Sequence, residues 1–273
     1  MKLSSPAARR LLLTTSLLIA PVCAFAQATS TEIFEPRVGQ PGKDVVWVPT
    51  PQSLVDKMLE IGQATPQDYL MDLGSGDGRT VITAAKRGIR AHGIEYNPDM
   101  VELSKKAAAE AGVTDKATFE KADLFQTDFS KATIITMFLL PSINLQLRPT
   151  ILDLKPGTRI VTNTFDMEDW QPDQEATVSP CPNWCKALLW IVPAKVGGSW
   201  KTAQGDLTLG QTFQMLSGTL GTSAIVDGRM RGGDISFRVG EARYTGRVNG
   251  NRIEGRVTSG SSTSDFVATR AGG

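Results

Sequence analysis

The sequence predicts an α/β chain built on a doubly wound sheet, followed by a small antiparallel β-module. From Val45 to about Ala194, short apolar runs alternate with stretches of helical period. Strand, helix, strand repeated this often implies a parallel sheet covered on both faces. After about Val196 the period falls to two, with hairpin dipeptides between the runs. At 273 residues, 41% hydrophobic and 21% charged, the chain can bury one large core or two smaller ones.

The first element is an address. Lys2, Arg9 and Arg10 precede the apolar run 11–20, which leads through Pro21 to the small-x-small site Ala24-Phe25-Ala26. That order of basic, apolar and small residues is an export signal. Residues 1–26 are therefore expected to be removed after Ala26, leaving an exported, periplasmic protein, with an uncleaved membrane anchor as the alternative. The run is short for a span and is interrupted by Thr14, Thr15 and Ser16, so the mature chain is expected to carry no membrane span. Residues 27–44, polar and proline-containing, read as an exposed lead-in.

The α/β domain is assigned to residues 45–195. Tyr69–Leu73 is an apolar strand, followed by a glycine turn and a helix over 80–87. Residues 91–96 form the second strand. Pro98 marks a helix start, 100–111 is alanine-rich and helical, and Gly112 stops it. Residues 117–122 are a third strand and the strongly apolar 133–140 a fourth. A helix over 143–152 ends before Pro156-Gly157; strands at 158–164 and 187–192 follow.

In residues 196–273, Leu207/Leu209, Phe213/Met215, Ile235/Phe237/Val239, Tyr244 and Ile253/Val257 alternate with polar residues. Asp227-Gly228 and Asn249-Gly250 read as hairpin turns, giving roughly six antiparallel strands. Substrate docking or assembly is the expected role of this module.

Composition excludes several chemistries. Lys+Arg 29 against Asp+Glu 28 provides no global basic field, so no nucleic-acid partner is expected. His92 is the single histidine, which rules out zinc sites with two or more histidines. Its place on the second strand points to a structural role, and no metal is expected. With the signal removed, Cys181 and Cys185 remain; they either close a small loop in an oxidising compartment or stay as two thiols.

The informative segment is Asp72-Leu-Gly74-Ser-Gly76-Asp77-Gly78-Arg79, between a strand and a helix. Glycines there let the chain turn tightly and let a ligand meet backbone rather than a Cβ. Glu95, closing the second strand, is placed to accept from both hydroxyls of a ribose. Asp123, after the third, is placed to accept from an exocyclic adenine amine. Ligands bind at such strand ends in open α/β sheets. A nicotinamide dinucleotide asks for glycine in the sixth place of the turn, where Arg79 stands. The spacing instead suits S-adenosylmethionine, which needs no pyrophosphate cradle.

Residues 45–195 resemble a class I S-adenosylmethionine-dependent methyltransferase, and within that class the seven-β-strand protein-lysine methyltransferases. These include an archaeal broad-specificity enzyme and mitochondrial enzymes acting on the ATP synthase c-subunit and the adenine nucleotide translocase. The resemblance rests on Val48-Pro-Thr-Pro51, the glycine turn through Ile82, Gly93-Ile-Glu-Tyr-Asn97, Thr136-Met-Phe-Leu-Leu-Pro141 and Leu154-Lys-Pro-Gly-Thr-Arg-Ile-Val161. It implies a Rossmann-like, seven-stranded sheet and S-adenosyl-L-methionine as cofactor. Asp72, Gly74, Gly76, Asp77, Glu95 and Asp123 would hold the cofactor, with Pro49 and Thr50 covering it. Phe138, Leu140, Pro141 and Asn144 become the candidate catalytic residues, in place of the Asp/Asn-Pro-Pro-Tyr motif of enzymes acting on adenine or glutamine. Trp47, Phe138, Phe165 and Trp170 are candidate rings for a cationic amine, and Asn163 a further amine-orienting group. In the β-module, Gly198-Ser199-Trp200 is similar to the Gly-x-Trp opening of lipocalin- and avidin-like barrels.

The expected activity is methyl transfer to the ε-amine of lysine in a protein substrate. Two alternatives stand beside it: a small-molecule methyltransferase, and an exported binding or assembly protein with an inactive methyltransferase fold. Export favours the last, because it separates the chain from the cytosol where S-adenosylmethionine is made.

Overall fold

A computed structural model describes residues 34–272, together with Met1 and Lys2. The export signal lies outside the described residues. Among those described, the strands form two sheets, of seven and nine strands, and no helix is long and apolar enough to cross a membrane.

The first sheet is built from β1 (Tyr69–Leu73), β2 (Arg90–Glu95), β3 (Ala117–Lys121), β4 (Ile134–Met137), β5 (Arg159–Asn163), β6 (Gln174–Thr177) and β7 (Lys186–Ile191), in the order β3-β2-β1-β4-β5-β7-β6. β1 lies inside the sheet, parallel to β2 and β4, and all its residues but Tyr69 are buried. The expectation of an all-parallel sheet needs correction: β7 runs antiparallel to both β5 and β6. β6 and β7 are a hairpin folded into the sheet edge, so no crossover helix separates them. The edge strand β6 is short and polar, which gave its sequence no strand signature.

Helices α1 (Gln52–Ile61), α2 (Arg79–Lys86), α3 (Pro98–Glu110) and α4 (Pro141–Leu152) cover the sheet. α1, which the apolar periodicity left unassigned, buries Leu54, Val55, Met58, Leu59 and Ile61. Asn97 caps α3 by accepting from the Asp99 backbone N–H at 2.9 Å, with Pro98 in the first turn. α4 starts at Pro141, two residues before the expected Ile143.

The second sheet comprises β8 (Gly198–Thr202), β9 (Gly205–Thr212), β10 (Met215–Leu220), β11 (Ser223–Ala224), β12 (Val226–Arg231), β13 (Asp234–Val239), β14 (Ala242–Asn249), β15 (Arg252–Ser259) and β16 (Ser262–Arg270). β8 pairs with both β16 and β9, and β9 with β10, so the antiparallel ladder closes into a barrel. Its interior is filled rather than hollow: Trp200, Phe237 and Phe266 are buried, and the Phe237 and Tyr244 rings stack at 4.8 Å. Asn249-Gly250 turns β14 into β15 as expected. Asp227-Gly228 does not make a hairpin. It lies inside β12 as a bulge, with Asp227 at φ +52 and the register slipping between Val226 and Arg229.

Residues Phe34–Gly273 form one compact unit. Phe213 stacks on Trp170 at 5.7 Å, Gln214 donates to the Gln171 carbonyl, and Arg229 pairs with the buried Asp173 at 2.7 Å. Ala194 N–H donates to the Gly232 carbonyl. Gly157 and Asp173 precede β5 and β6, and Ala194 follows the antiparallel β7. The barrel therefore seats at the amino-terminal end of β5.

Candidate functional site

A cavity opens at the opposite, carboxyl ends of β1, β2 and β4, the usual ligand side of such a sheet. Its floor is the glycine turn. Gly74 and Ser75 N–H both donate to the Ile94 carbonyl at 2.9 Å, which folds the turn back over β2. Gly78 has φ +78, and a Cβ there would meet the Phe119 ring and the Ser104 Cβ at 2.8 Å. Gly78 thus performs the close helix–sheet packing that a dinucleotide turn assigns to its sixth position. Gly76, at φ +54, lies against the Trp47 indole.

Every residue assigned to the cofactor from the resemblance lines this cavity: Pro49, Thr50, Asp72, Gly74, Gly76, Asp77, Glu95 and Asp123. Asp72 is buried at the end of β1 and accepts from the Thr136 hydroxyl at 2.6 Å. Desolvation, with Asp77 and Glu95 nearby, pushes its carboxyl up to about 7 despite that hydrogen bond. Glu95 is oriented by two backbone donors at 2.9 Å, Gly76 N–H to Oε2 and Asn97 N–H to Oε1. Each oxygen keeps a lone pair for a further donor. Asp123 accepts from Lys43 Nζ at 2.7 Å and from Phe125 N–H at 3.0 Å, and those bonds hold its carboxyl below the usual range.

The described part of the lead-in, residues 34–44, is mostly exposed and also builds part of the site. Gly39 N–H donates to the Trp47 carbonyl and Trp47 N–H to the Gln40 carbonyl, closing a small hairpin whose residues Gln40–Trp47 wall the cavity. Lys43 reaches Asp123 from this hairpin and lies 5.0 Å above the Tyr96 ring. Val48-Pro-Thr-Pro51 continues from it, fixed by Arg79 donating to the Thr50 carbonyl at 2.9 Å and by Asn163 donating to the Thr50 hydroxyl at 3.2 Å. Arg79 is also paired with Asp77.

Of the four candidate catalytic residues, Phe138 alone lines the cavity, between Met137 and Leu139, which line it too. Leu140 is exposed at the N-cap of α4, and Pro141 begins that helix. Asn144 is buried one turn further on, its amide donating to the Phe165 carbonyl at 3.3 Å and the Asp166 carbonyl at 3.1 Å. These three do not line the cavity, whereas Ile143 of the same helix does. Asn163 is committed to Thr50, and Trp170 is barrel-facing core. His92 faces Thr118 and Glu120 on the neighbouring strand, away from the cavity lining.

The donor set fits a cationic, hydroxyl-bearing ligand. Asp72, Asp77, Glu95 and Asp123 face the cavity, whereas its lining cations, Lys43 and Arg79, are both engaged by carboxylates. A pyrophosphate would meet like charge on this wall, and the acceptors are those a ribose and an adenine amine require.

Residues 72–174 match the family model of the ANTKMT methyltransferase domain. A protein-lysine N-methyltransferase of Saccharolobus islandicus is 41% identical over 133 residues, covering 48% of this chain and 83% of that protein. The ATP synthase c-subunit lysine N-methyltransferase of Mus musculus is 40% identical over 105 residues, 38% of this chain and 42% of that protein. The chain thus spans less than half of the mouse relative. Among solved structures, an RNA methyltransferase from Salinibacter ruber in complex with S-adenosyl-L-homocysteine is 44% identical, with a TM-score of 0.52, over 55% of this chain and 96% of that one. The family match ends before the Cys181–Cys185 loop and the barrel.

Proposed function

The chain belongs to the S-adenosylmethionine-dependent methyltransferases, and on that premise we propose that it methylates the ε-amine of lysine in a protein substrate. S-adenosylmethionine is the cofactor of this family, and its demethylated product is held by the Salinibacter relative. Asp72, Glu95, Asp123 and the backbone of Gly74 and Gly76 are the groups suited to hold it.

When bound, the cofactor supplies a methyl group on a sulfonium, an electrophile that requires a neutral nucleophile in line. The residues around it then have two tasks. They must align the amine, since positioning carries most of the rate in such a displacement. They must also favour loss of its proton, because lysine has an ordinary pKa of about 10.4. The carrying observation is the end of β4: Met137, Phe138 and Leu139 present apolar surface to the cavity. An apolar wall disfavours the ammonium, so a lysine entering there loses its proton to solvent without a histidine base. The archaeal and mouse relatives, both lysine methyltransferases by name, support this reading. We further propose that the chain works after export with residues 1–26 removed; its disulfide between Cys181 and Cys185 suits an oxidising compartment.

Incubating the purified chain with methyl-labelled cofactor and separate protein, RNA and metabolite fractions tests the proposal. Label is expected in the protein fraction, on lysine. Label confined to RNA or metabolites would overturn the substrate assignment. Glu95→Ala should weaken cofactor affinity by about 100-fold or more, since it removes a charged acceptor for two hydroxyl hydrogen bonds of roughly 1.5–3 kcal/mol each. Calorimetric titration of cofactor into wild type and variant measures this, and an unchanged Kd would remove Glu95 from the site.

A further inference from the structure

Three aromatic rings from separate parts of the chain meet beside the methyl-donor cavity. Phe138 follows β4, Phe165 follows β5, and Trp184 stands in the hairpin between β6 and β7. Ring centroids are 5.9 Å apart for Phe138 and Phe165, 5.8 Å for Phe138 and Trp184, and 5.3 Å for Phe165 and Trp184. Phe138 lines the cavity, and Trp184, in contact with it, is 40% exposed, a large apolar side chain left in solvent. A role in folding alone does not explain an indole left uncovered there.

Two of the three residues are held through their backbone. The Phe165 carbonyl accepts from the Thr162 hydroxyl at 2.6 Å and from the Asn144 amide, so the buried asparagine acts as a positioning residue for this ring. Trp184 lies within the loop closed by the Cys181–Cys185 disulfide, which holds the indole at φ +57 on a five-residue tether. Because β6 runs parallel to β5, this loop emerges at the cavity end of the sheet, opposite the barrel. Two exposed acids, Asp166 and Glu168, stand on the segment that follows Phe165. The neighbouring Lys186 is paired with Glu175. Clustered aromatic faces recognise an alkylammonium, through cation–π attraction of about 0.5–2 kcal/mol per ring.

We propose that Phe138, Phe165 and Trp184 receive the substrate's alkylammonium chain, and that the disulfide loop sets its affinity by presenting Trp184. The proposal rests on the lysine reading and adds to it a specificity residue outside the family-matched segment. Trp184 binds the charged amine at the rim; the proton is lost deeper, against Phe138.

The test pairs a lysine-bearing peptide with its norleucine counterpart, which keeps the alkyl chain and lacks the ammonium. Binding of both to the intact protein saturated with S-adenosylhomocysteine is measured by titration, and lysine methylation by steady-state kinetics. Wild type is expected to prefer the lysine peptide. Trp184→Leu should erase that preference and raise KM about 10-fold with kcat and cofactor Kd within twofold, while Trp184→Phe retains most of both. Replacing both cysteines by serine should reproduce the leucine variant's KM. A leucine variant equal to wild type, or one whose cofactor Kd shifts as much as its KM, overturns the inference while wild-type lysine methylation leaves the lysine reading standing. A wild-type protein that neither binds nor methylates the lysine peptide overturns both.

Discussion

At the scale of single residues, Asp72 is where structure and chemistry meet most closely. Its carboxyl is buried near the end of β1, and burial raises it from 3.8 to about 7. A cationic cofactor favours the ionised form, so cofactor Kd should tighten as pH climbs through about 7. The folded state holds a proton that the unfolded chain gives up near pH 4. The associated stability is therefore present in full below that value and lost as pH rises through about 7. Melting temperatures between pH 5 and 8 should fall more steeply for wild type than for Asp72→Asn, and parallel curves would show that Asp72 is already ionised. Asp72, Glu95 and Asp123 were legible in the sequence because each stands at a strand end at a spacing fixed by one strand–helix repeat. Lys43 was not. Its contact with Asp123 joins positions 80 residues apart, and a lone lysine in a polar segment carries no local signal of it.

Elements were legible in proportion to their apolar period. β1, β2, β3 and α3 lie within two residues of expectation. β6 and α1 were missed for opposite reasons, one because it is a polar edge strand and the other because its apolar positions follow directly on Pro51. α4 starts two residues early, and of the segment around its start Phe138 and Ile143 line the cavity while Leu140, Pro141 and Asn144 do not. The bulge at Asp227-Gly228 shows that a left-handed dipeptide marks a positive φ and not always a chain reversal. Where β6 meets the barrel, one ion pair dominates: the Asp173 side chain is 0% exposed and binds Arg229 and the Ile191 N–H. Arg229 itself is 42% exposed, so water shares its charge and moderates the loss. Arg229→Ala should still destabilise the protein by about 1–3 kcal/mol, below the range for a fully buried pair, because Asp173 keeps only its backbone donor. Urea unfolding measures this, and a change under about 0.5 kcal/mol would place water, not the arginine, as the partner of Asp173.

On the scale of the whole molecule, the barrel is placed to brace the α/β sheet from below. Its interior is packed with Trp200, Phe237, Tyr244 and Phe266, its ladder leaves few free edges, and it seats at the end of the sheet away from the cavity. Substrate docking, the expected role of this module, would require a partner that reaches round the sheet to Phe138. The two parts have separate cores joined by the Phe213–Trp170 stack and the Arg229–Asp173 pair. Wild type should therefore unfold in one calorimetric transition. Loosening the joint with Phe213→Ala and Arg229→Ala together should split it into two. S-adenosylmethionine should then raise only the transition of the α/β part, because a ligand stabilises the unit that binds it by RT ln(1 + [L]/Kd). Cofactor Kd in the double variant should stay within about twofold of wild type, as no group of the joint lines the cavity. A cofactor-induced rise in both transitions, or a lost cofactor affinity, would mean that the barrel shapes the site across the sheet and is more than a support beneath it.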